Sequence, residues 1–263
     1  MWHARRLTDK AEIRAFLAQD RPYAAYALGD LDPAFFVDCE WWGAEREGRL
    51  RTLALVYRGL QPPALFIMGE AEGLKPILGL GLRPQRVMLL AREAHLEAFR
   101  TYYHLPQPIP MLRMWVRPED FRPVSHAGLI RLTPNYRGEL ERLYTMGMAP
   151  GERPDAFTPL QLAQGVFYGV EREGRLVSTA GTHLVALAER IAAVGNVFTH
   201  PAWRGRGYAT ACTSAVTATL LEMGIHDIVL NVGQTNETAI RIYERLGYRR
   251  YCPFVEGVAV RRG

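Results

Sequence analysis

The sequence has few cysteines, few lysines and no long apolar run. Its three cysteines, Cys39, Cys212 and Cys252, are odd in number and far apart, which indicates neither a disulfide framework nor a zinc site. No run reaches the roughly 20 apolar residues of a membrane-spanning helix, and the first residues contain no apolar signal core. We therefore expect a cytoplasmic protein with free thiols, without a metal site and without a membrane partner.

Basic charge is carried almost entirely by arginine. Lysine occurs only at Lys10 and Lys75 among the 32 basic residues, and the formal net charge is +5. The arginines are scattered and form no basic tract, which argues against a nucleic-acid partner. A modest positive field instead favours the approach of small anions. With 263 residues, 48% of them hydrophobic, the chain is long enough for one large or two small domains.

The most informative stretch, Val194 to Ala211, reads as a strand, a glycine loop and a helix. The sequence R-G-R-G at residues 204–207 forms the loop, and a helix-forming run begins at Tyr208. Backbone N–H groups at such a helix start attract an anion, and the two glycines let the backbone approach it closely. Arg204 and Arg206 add charged donors suited to phosphate. The stretch predicts a phosphate or pyrophosphate site, with an ordinary surface turn as the alternative.

Two other nucleotide-binding loops do not fit this stretch. The Walker pattern G-x-x-x-x-G-K-[ST] is absent, and the dinucleotide fingerprint lacks its third glycine and the acidic residue that follows it. What remains is R-x-x-G-x-A, formed by Arg204, Gly207 and Ala209. Downstream, residues 236–248 fit N-x-x-A-x-x-x-Y-x-x-x-G-[FY]. Together, in this order, the motifs resemble those of the GNAT superfamily of acyl-CoA-dependent N-acyltransferases, and the resemblance covers about residues 128–256.

The resemblance implies transfer of an acetyl group from acetyl-CoA to an amine, by direct attack in a ternary complex. It also implies that backbone amides of the loop hold the pyrophosphate and that the preceding strand pairs with the pantetheine arm. The Val197 amide would face the thioester oxygen. Asn236 would contact the pantetheine arm, cap the following helix, or do both. The residues implied to contact acetyl-CoA are Val197, Phe198, Thr199, Arg204, Gly205, Arg206, Gly207, Tyr208, Ala209, Thr210, Asn231, Asn236, Ala239 and Tyr243.

The resemblance makes Tyr243 the candidate general acid. It follows Ala239 by four residues and therefore shares a helix face with it. A phenol with a pKa of about 10 can protonate a thiolate leaving group and recover its proton. The alternative is a core tyrosine, because the helix is amphipathic.

The general base is not assigned by the resemblance. Ala193 stands where many relatives carry a glutamate, and alanine cannot accept a proton. His183, Glu152 and Asp155 are the candidates elsewhere, although a lone strand histidine is more often structural. A water held by Asn196, or an acceptor amine with a low pKa, would remove the need for a base.

An internal repeat predicts two similar halves. The hexapeptide E-R-E-G-R-L at residues 45–50 recurs letter for letter at residues 171–176, each time at the tip of a predicted hairpin. A chance match of turn residues is the alternative. Duplication predicts a degenerate first domain at residues 1–120 and a catalytic domain at residues 127–263. Gly79 and Gly81 stand where the second half has Gly205 and Gly207, but Leu78 and Leu80 replace Arg204 and Arg206, so the first half is expected not to bind CoA.

The expected fold is an α/β fold of the GNAT type. The resemblance implies a mixed, mostly antiparallel sheet with flanking helices and a splayed strand pair for CoA. Residues 248–260 are predicted as two closing strands separated by Pro253. In the first half, Tyr23, Tyr26, Asp30 and Asp32 form a polar and aromatic cluster that faces the cleft or closes a helix end.

The acceptor is expected to be a small-molecule amine. Its recognition is assigned to the loop at residues 147–157, the region of His183 and the first domain. A protein or peptide amine, a longer acyl-CoA, and a non-catalytic sensor of acyl-CoA are the alternatives. The sequence is compatible with a monomer or a homodimer.

Overall fold

The computed structural model describes residues 1–82, 84–146 and 157–263, and the chain divides into two compact units. The first unit consists of Met1–Arg113, Gly233–Thr235 and Tyr251–Gly263. The second consists of Met114–Val232 and Asn236–Arg250. The sequence-based domains at residues 1–120 and 127–263 stay predictions, because a repeat and a compact unit need not share their boundaries.

The first half of the chain alternates strands with short helices. Its elements are β1 (Trp2–Leu7), α1 (Lys10–Leu17), α2 (Ala25–Gly29), α3 (Pro33–Phe36), β2 (Cys39–Arg46), β3 (Arg49–Tyr57), β4 (Ala64–Gly69), α4 (Leu74–Gly79), β5 (Arg86–Ala91), α5 (Leu96–Arg100), β6 (Tyr103–His104) and β7 (Ile109–Val116). Strands β1 to β4 pair antiparallel in chain order, whereas β4 and β5 are parallel.

The second half repeats this order, with longer counterparts of β3, β4 and α4. Its elements are β8 (Leu129–Arg131), α6 (Arg137–Tyr144), α7 (Pro159–Gln164), β9 (Tyr168–Arg172), β10 (Arg175–Ala186), β11 (Ile191–Thr199), α8 (Tyr208–Glu222), β12 (Asp227–Gly233), α9 (Glu237–Arg245) and β13 (Arg249–Arg261). Strands β8 to β11 pair antiparallel in chain order, and β11 and β12 are parallel. Among the strand pairs of the described residues, each half thus combines antiparallel pairs with a parallel pair, as the predicted fold class requires.

The repeated hexapeptide forms the same turn twice. Glu47 and Gly48 have φ of 56° and 69°, and Glu173 and Gly174 have 53° and 69°. Positive φ at both central residues is the signature of a type I′ turn, whose twist matches that of the flanking strands. The turns join β2 to β3 and β9 to β10, so the repeated letters occupy equivalent places in the two halves.

Strand β13 belongs to the first unit from Tyr251 onwards. β13 pairs antiparallel with β5, from Val255 opposite Ala91 to Val260 opposite Arg86. The expected break at Pro253 is wrong, because β13 is one continuous strand from Arg249 to Arg261. Pro253 is exposed and precedes the residues of β13 that pair with β5. Its missing N–H therefore removes none of the hydrogen bonds between these two strands.

Helices cover the apolar strand faces of each unit. In the first unit, Ile77 of α4 and Phe99 of α5 pack with strand residues such as Ile67. In the second, Leu140 of α6 packs with a cluster that includes Phe167. Burial of a side chain of this size contributes about 1.5–3 kcal/mol, so these clusters dominate the stability of each unit.

All three cysteines are free thiols, with Cys212 and Cys252 buried. Across the parts of the chain that the structure describes, no helix combines the length and apolarity needed to cross a bilayer.

We expect Ala259→Asp, close to the C-terminus, to loosen the first unit selectively. Ala259 is fully buried and pairs with Val87 of β5, so the substitution places a charge in the core, at a cost of several kcal/mol. Hydrogen exchange followed by mass spectrometry should show faster exchange in β5 and unchanged protection in β9. Val260→Asp is the matched control, because Val260 is 44% exposed. Equal loosening by both variants would contradict the expectation.

Candidate active site

The parallel strands β11 and β12 are paired over only part of their length. Their ladder runs from Ile191 opposite Asp227 to Val194 opposite Leu230. Both strands continue past this point, β11 as far as Thr199. The outer part of β11 stays bonded to β10, with Thr199 opposite Ser178. The two strands are therefore splayed, as predicted, and the outer part of β11 borders the gap between them.

A β-bulge interrupts β11 where the strands part. Gly195 lies opposite Gly181 and Phe198 lies opposite Thr179, so Asn196 and Val197 together oppose the single residue Ala180. Asn196 has a φ of 53°, a left-handed conformation that asparagine tolerates better than most residues. A bulge redirects the backbone groups beside it, and here the redirected groups include the Val197 amide.

Side chains from both neighbouring helices hold the bulge. The Tyr144 hydroxyl, at the end of α6, donates to the Asn196 carbonyl oxygen at 2.9 Å. Asn196 Nδ2 donates to Gln161 Oε1 of α7 at 3.2 Å. The same Gln161 oxygen accepts the Thr158 N–H at 3.0 Å, so it caps α7 at the same time. Asn196 is thus fixed through its backbone and its side chain.

His183 lies beside this bulge. It is itself the extra residue of a bulge in β10, between Thr182 opposite Val194 and Leu184 opposite Ala193. Its ring packs directly over Gly195, where any side chain would overlap it. Burial lowers the pKa of His183 to about 4, although a hydrogen bond with Asn196 acts in the opposite direction. The imidazole is therefore neutral at pH 7.

The glycine loop ends in an uncapped helix. Gly205 and Gly207 have φ of 76° and 80°, and the space where their side chains would stand is open. Gly207 is the N-cap of α8 and makes no side-chain capping bond. The first N–H groups of α8, from Tyr208 to Thr210, precede the first intrahelical bond, which Ala211 N–H donates to the Gly207 carbonyl. These amides are suited to an anion.

The side chains of the loop are held in place. Arg204 Nε donates to the Thr199 carbonyl oxygen at 3.2 Å, which ties the loop to the end of β11. The Arg206 guanidinium stacks over Trp203, 4.5 Å from the ring centroid. The Tyr208 hydroxyl accepts from Arg172 Nε at 3.1 Å. Both loop arginines are exposed and keep further N–H donors for a phosphate.

The second motif begins with a helix cap. Asn236 is the N-cap of α9, and its side-chain oxygen accepts the Ala239 N–H at 3.1 Å. The capping interpretation of Asn236 is therefore confirmed, and contact with the cofactor stays a prediction. Asn231 directly follows Leu230, where the paired part of β12 ends.

Tyr243 lies on the buried face of α9. Its ring packs against that of Tyr248 with centroids 6.1 Å apart. Burial raises the pKa of Tyr243 to about 12, so the hydroxyl keeps its proton throughout the physiological range. Among the candidate bases, Glu152 and Asp155 lie outside the described residues.

The corresponding strand ends of the first unit are closed by a tyrosine. The parallel ladder of β4 and β5 stops at Phe66 opposite Leu90. One residue further, the buried Tyr23 hydroxyl donates to the Ile67 carbonyl at 2.9 Å and accepts from the Arg92 N–H at 3.1 Å. The Tyr23 side chain thus connects the ends of β4 and β5 beyond their last pair of backbone hydrogen bonds.

Sequence reasoning missed Tyr144, Gln161 and Arg172. Thr158-Pro159 followed by Gln161 is a capping-box pattern with proline at the first helical position, which could have identified the start of α7. It does not reveal that Gln161 also binds Asn196. Tyr144 and Arg172 carry no local signal of their contacts.

Residues 139–248 match the model of the acetyltransferase (GNAT) family. A mycothiol acetyltransferase from Thermobispora bispora is 36% identical over 89 residues, a similarity that spans 32% of this chain and only 30% of that protein. A Drosophila protein of known structure has a TM-score of 0.71 at 12% identity, with 97% of this chain and 98% of that chain covered. A tandem GNAT protein from the clavulanic acid biosynthesis pathway has a TM-score of 0.59 at 13% identity, with 100% and 99% covered.

The residues that match the family also contain the splayed strands, the bulge in β11 and the glycine loop before α8. Residues 139–248 are thus the part of the chain that matches the GNAT acetyltransferase family. The fold of the whole chain is like that of a tandem GNAT protein, in agreement with the repeated order of elements.

We expect Gly195→Ala to displace the His183 ring and to raise the histidine pKa towards its ordinary value near 6.5. The added methyl group overlaps the ring, which must leave its buried place. A ¹⁵N NMR titration of the imidazole measures the shift. Gly138→Ala is the control, because Gly138 of α6 has open space around it. An unchanged His183 titration in Gly195→Ala would contradict the described packing.

Proposed function

We propose that this protein transfers an acetyl group from acetyl-CoA to a primary amine of a small molecule. The observation that carries the proposal is the continuity of β11 with the loop before α8. The outer part of β11 borders the gap between the strands, and the same segment leads into an uncapped helix start. The proposed site for the extended arm and the proposed site for the pyrophosphate therefore adjoin each other.

The residues at this site suit both polar parts of acetyl-CoA, the pyrophosphate and the amides of the pantetheine arm. Backbone amides from Gly205 to Thr210 are suited to the pyrophosphate, and Arg204 and Arg206 add charge. Val197 and Thr199 on the outer part of β11 would pair with the pantetheine amides as a strand does, with Phe198 between them. Asn231, Asn236, Ala239 and Tyr243 are the proposed contacts further along the arm.

The bulge supplies the proposed electrostatic catalyst. When bound, acetyl-CoA supplies an activated acyl group whose carbonyl oxygen gains negative charge as the amine attacks. The Val197 N–H, redirected by the bulge, would donate to that oxygen. One such donor lowers a barrier by about 3 kcal/mol.

Tyr243 is the proposed general acid. The reaction forms a C–N bond and breaks the C–S bond, so the leaving sulfur needs a proton and the amine must lose one. Because burial keeps the Tyr243 hydroxyl protonated, it is available as the donor to sulfur, and solvent returns the proton afterwards.

His183 is the proposed base, and Asn196 as a holder of water is the alternative. The ring is neutral at pH 7 and lies beside the bulge, which supports the assignment. A pKa of about 4 makes His183 a weak base. The demand on this base is smaller if the proton leaves after the C–N bond forms, because the nitrogen is then more acidic than a free ammonium group.

A small-molecule acceptor is supported by the curated relative, whose name is mycothiol acetyltransferase. The second candidate function is a sensor that binds acyl-CoA without turnover. It is favoured by Ala193, which is fully buried at the place where many relatives carry a catalytic glutamate. Cytoplasmic location and a monomeric or homodimeric state remain predictions from the sequence.

Calorimetry with acetyl-CoA is the first test. We expect one site per chain, because Tyr23 closes the equivalent gap in the first unit. Arg204→Glu should weaken binding about tenfold, since it replaces a charged donor by a repelling carboxylate. Arg245→Glu is the control for charge reversal, because Arg245 is exposed at the end of α9. Two equal sites, or unchanged affinity in Arg204→Glu, would contradict the site.

Thiol release from acetyl-CoA then separates transferase from sensor. The panel contains amino acids, amino sugars, polyamines, aminoglycosides and short peptides, and the rate without acceptor is subtracted. Release that depends on an amine, with the N-acetylated product seen by mass spectrometry, supports the transferase. Saturable binding without release on any amine favours the sensor.

We expect Tyr243→Phe to lower kcat about 100-fold and to leave the KM for acetyl-CoA unchanged, because only the proton donor is removed. Tyr248→Phe is the matched control. It removes the neighbouring buried hydroxyl, which bonds to Thr217 Oγ1 at 2.7 Å, at a cost of about 1 kcal/mol in stability and with kcat retained. Equal kcat values in wild type and Tyr243→Phe would refute the role of Tyr243.

A further inference from the structure

One peptide group of the bulge in β11 is held by a side chain from a helix. The Asn196 carbonyl oxygen and the Val197 N–H belong to the same peptide unit, which joins the two bulge residues opposite Ala180. The Tyr144 hydroxyl, at the end of α6, donates to that oxygen at 2.9 Å. A carbonyl oxygen can only accept, so the direction of this hydrogen bond follows from the chemistry of its two groups.

A fixed carbonyl also fixes the N–H of its own peptide. The atoms of a peptide unit lie close to one plane, and in the trans form the C=O and N–H bonds point in opposite directions. The Asn196–Val197 peptide is trans. Because Tyr144 holds the oxygen on one side, the Val197 N–H points away from the Tyr144 hydroxyl.

The same hydrogen bond strengthens the N–H as a donor. A peptide whose oxygen accepts a hydrogen bond is more strongly polarised, because hydrogen bonds in series reinforce one another. Negative charge in front of the Val197 N–H is therefore stabilised through the peptide by the Tyr144 hydroxyl as well. Burial raises the pKa of Tyr144, so the hydroxyl keeps its proton at pH 7 and remains a donor.

We propose that Tyr144 is a positioning residue for acetyl transfer, which orients the Val197 N–H towards the acyl oxygen and polarises the peptide that carries it. The proposal rests on the proposed function, because that oxygen belongs to the bound acetyl group. Tyr144 acts through the peptide and not by contact with the reacting atoms.

Packing holds the Tyr144 ring in the place that this role requires. Tyr144 is 7% exposed. Its ring packs against Phe157 with centroids 5.3 Å apart, and edge-on against Phe198 at 6.2 Å. Phe198 directly follows Val197, so Tyr144 contacts β11 on both sides of that residue. The hydroxyl is therefore held at the bulge without any ligand.

The contribution of the held peptide is greatest as the amine attacks. When the amine nitrogen bonds to the acyl carbon, one electron pair of the C=O double bond moves to the oxygen. The pair returns when the C–S bond breaks and the sulfur leaves with the bonding electrons. The oxygen is most negative between these two events. An oriented donor thus lowers the barrier more than it improves binding of acetyl-CoA.

Tyr144→Phe isolates the hydroxyl, because it keeps the ring that packs against Phe157 and Phe198. We expect kcat with an amine acceptor to fall about tenfold at unchanged KM for acetyl-CoA. Tyr168→Phe is the matched control, because it removes a hydroxyl that bonds to Thr219 Oγ1 of α8 at 3.0 Å, and it should keep kcat. An equal loss of kcat in both variants, or a wild-type kcat in Tyr144→Phe, overturns the proposal.

A binding measurement needs neither an acceptor nor turnover. The two probes are acetyl-CoA and S-ethyl-CoA, which has the same two carbons on sulfur but no carbonyl oxygen. NMR of protein labelled with ¹⁵N-valine observes the Val197 amide, whose signal is identified by its loss in Val197→Ile. In the wild type and in Tyr168→Phe, acetyl-CoA should move this signal further than S-ethyl-CoA does. In Tyr144→Phe we expect the difference between the probes to shrink by about half or more.

The two measurements separate this inference from the proposed function. No difference between the probes in the wild type, or the same difference in Tyr144→Phe, overturns the positioning role even if the wild type acetylates an amine. If the wild type acetylates no amine, the proposed function fails instead. The Val197 signal then still shows whether Tyr144 orients the amide, because it is recorded without turnover.

Discussion

The early end of the ladder between β11 and β12 is the constraint on which the site depends. After Val194 the outer part of β11 is bonded to β10 and borders a gap towards β12. One extra residue in that part bends the strand, and the left-handed backbone of Asn196 has to be stabilised by groups outside the ladder. Tyr144 and Gln161 supply this stabilisation from two helices. Contacts from these two helices therefore take the place of those that a neighbouring strand would make with the outer part of β11.

The two halves of the chain differ in whether the gap beyond the parallel strand pair is closed by a side chain. Both contain the same type I′ hairpin and the same parallel pair that stops early. In the first half Tyr23 bridges the strands beyond their last rung, and the following helix α4 has 6 residues. In the second half α8 has 15 residues and begins at an uncapped glycine. The same order of strands thus gives a bridged strand pair in the first unit and an accessible edge of β11 in the second.

Most of the fold could be predicted from sequence, because its signals are local. The bounds of β11, the start of α8 at Tyr208 and the cap at Asn236 follow from apolar runs, glycines and capping chemistry within a few residues. The connections of the site could not be predicted. Asn196 and Gln161 are 35 residues apart, and their pairing depends on where α7 packs. Residues 248–260 have a clear strand pattern, yet only tertiary pairing decides that Pro253 is tolerated and that the strand joins β5.

The place of β13 has a consequence for biosynthesis. A multidomain chain ordinarily folds its N-terminal domain first, while the rest is still being synthesised. Here β5 receives its antiparallel neighbour from residues 255–260, which leave the ribosome after every residue of the second unit. The edge of β5 consequently stays without this neighbour until residues 255–260 have been synthesised. During that interval the edge of β5 is open to mispairing and chaperone capture, although the second unit has already been synthesised.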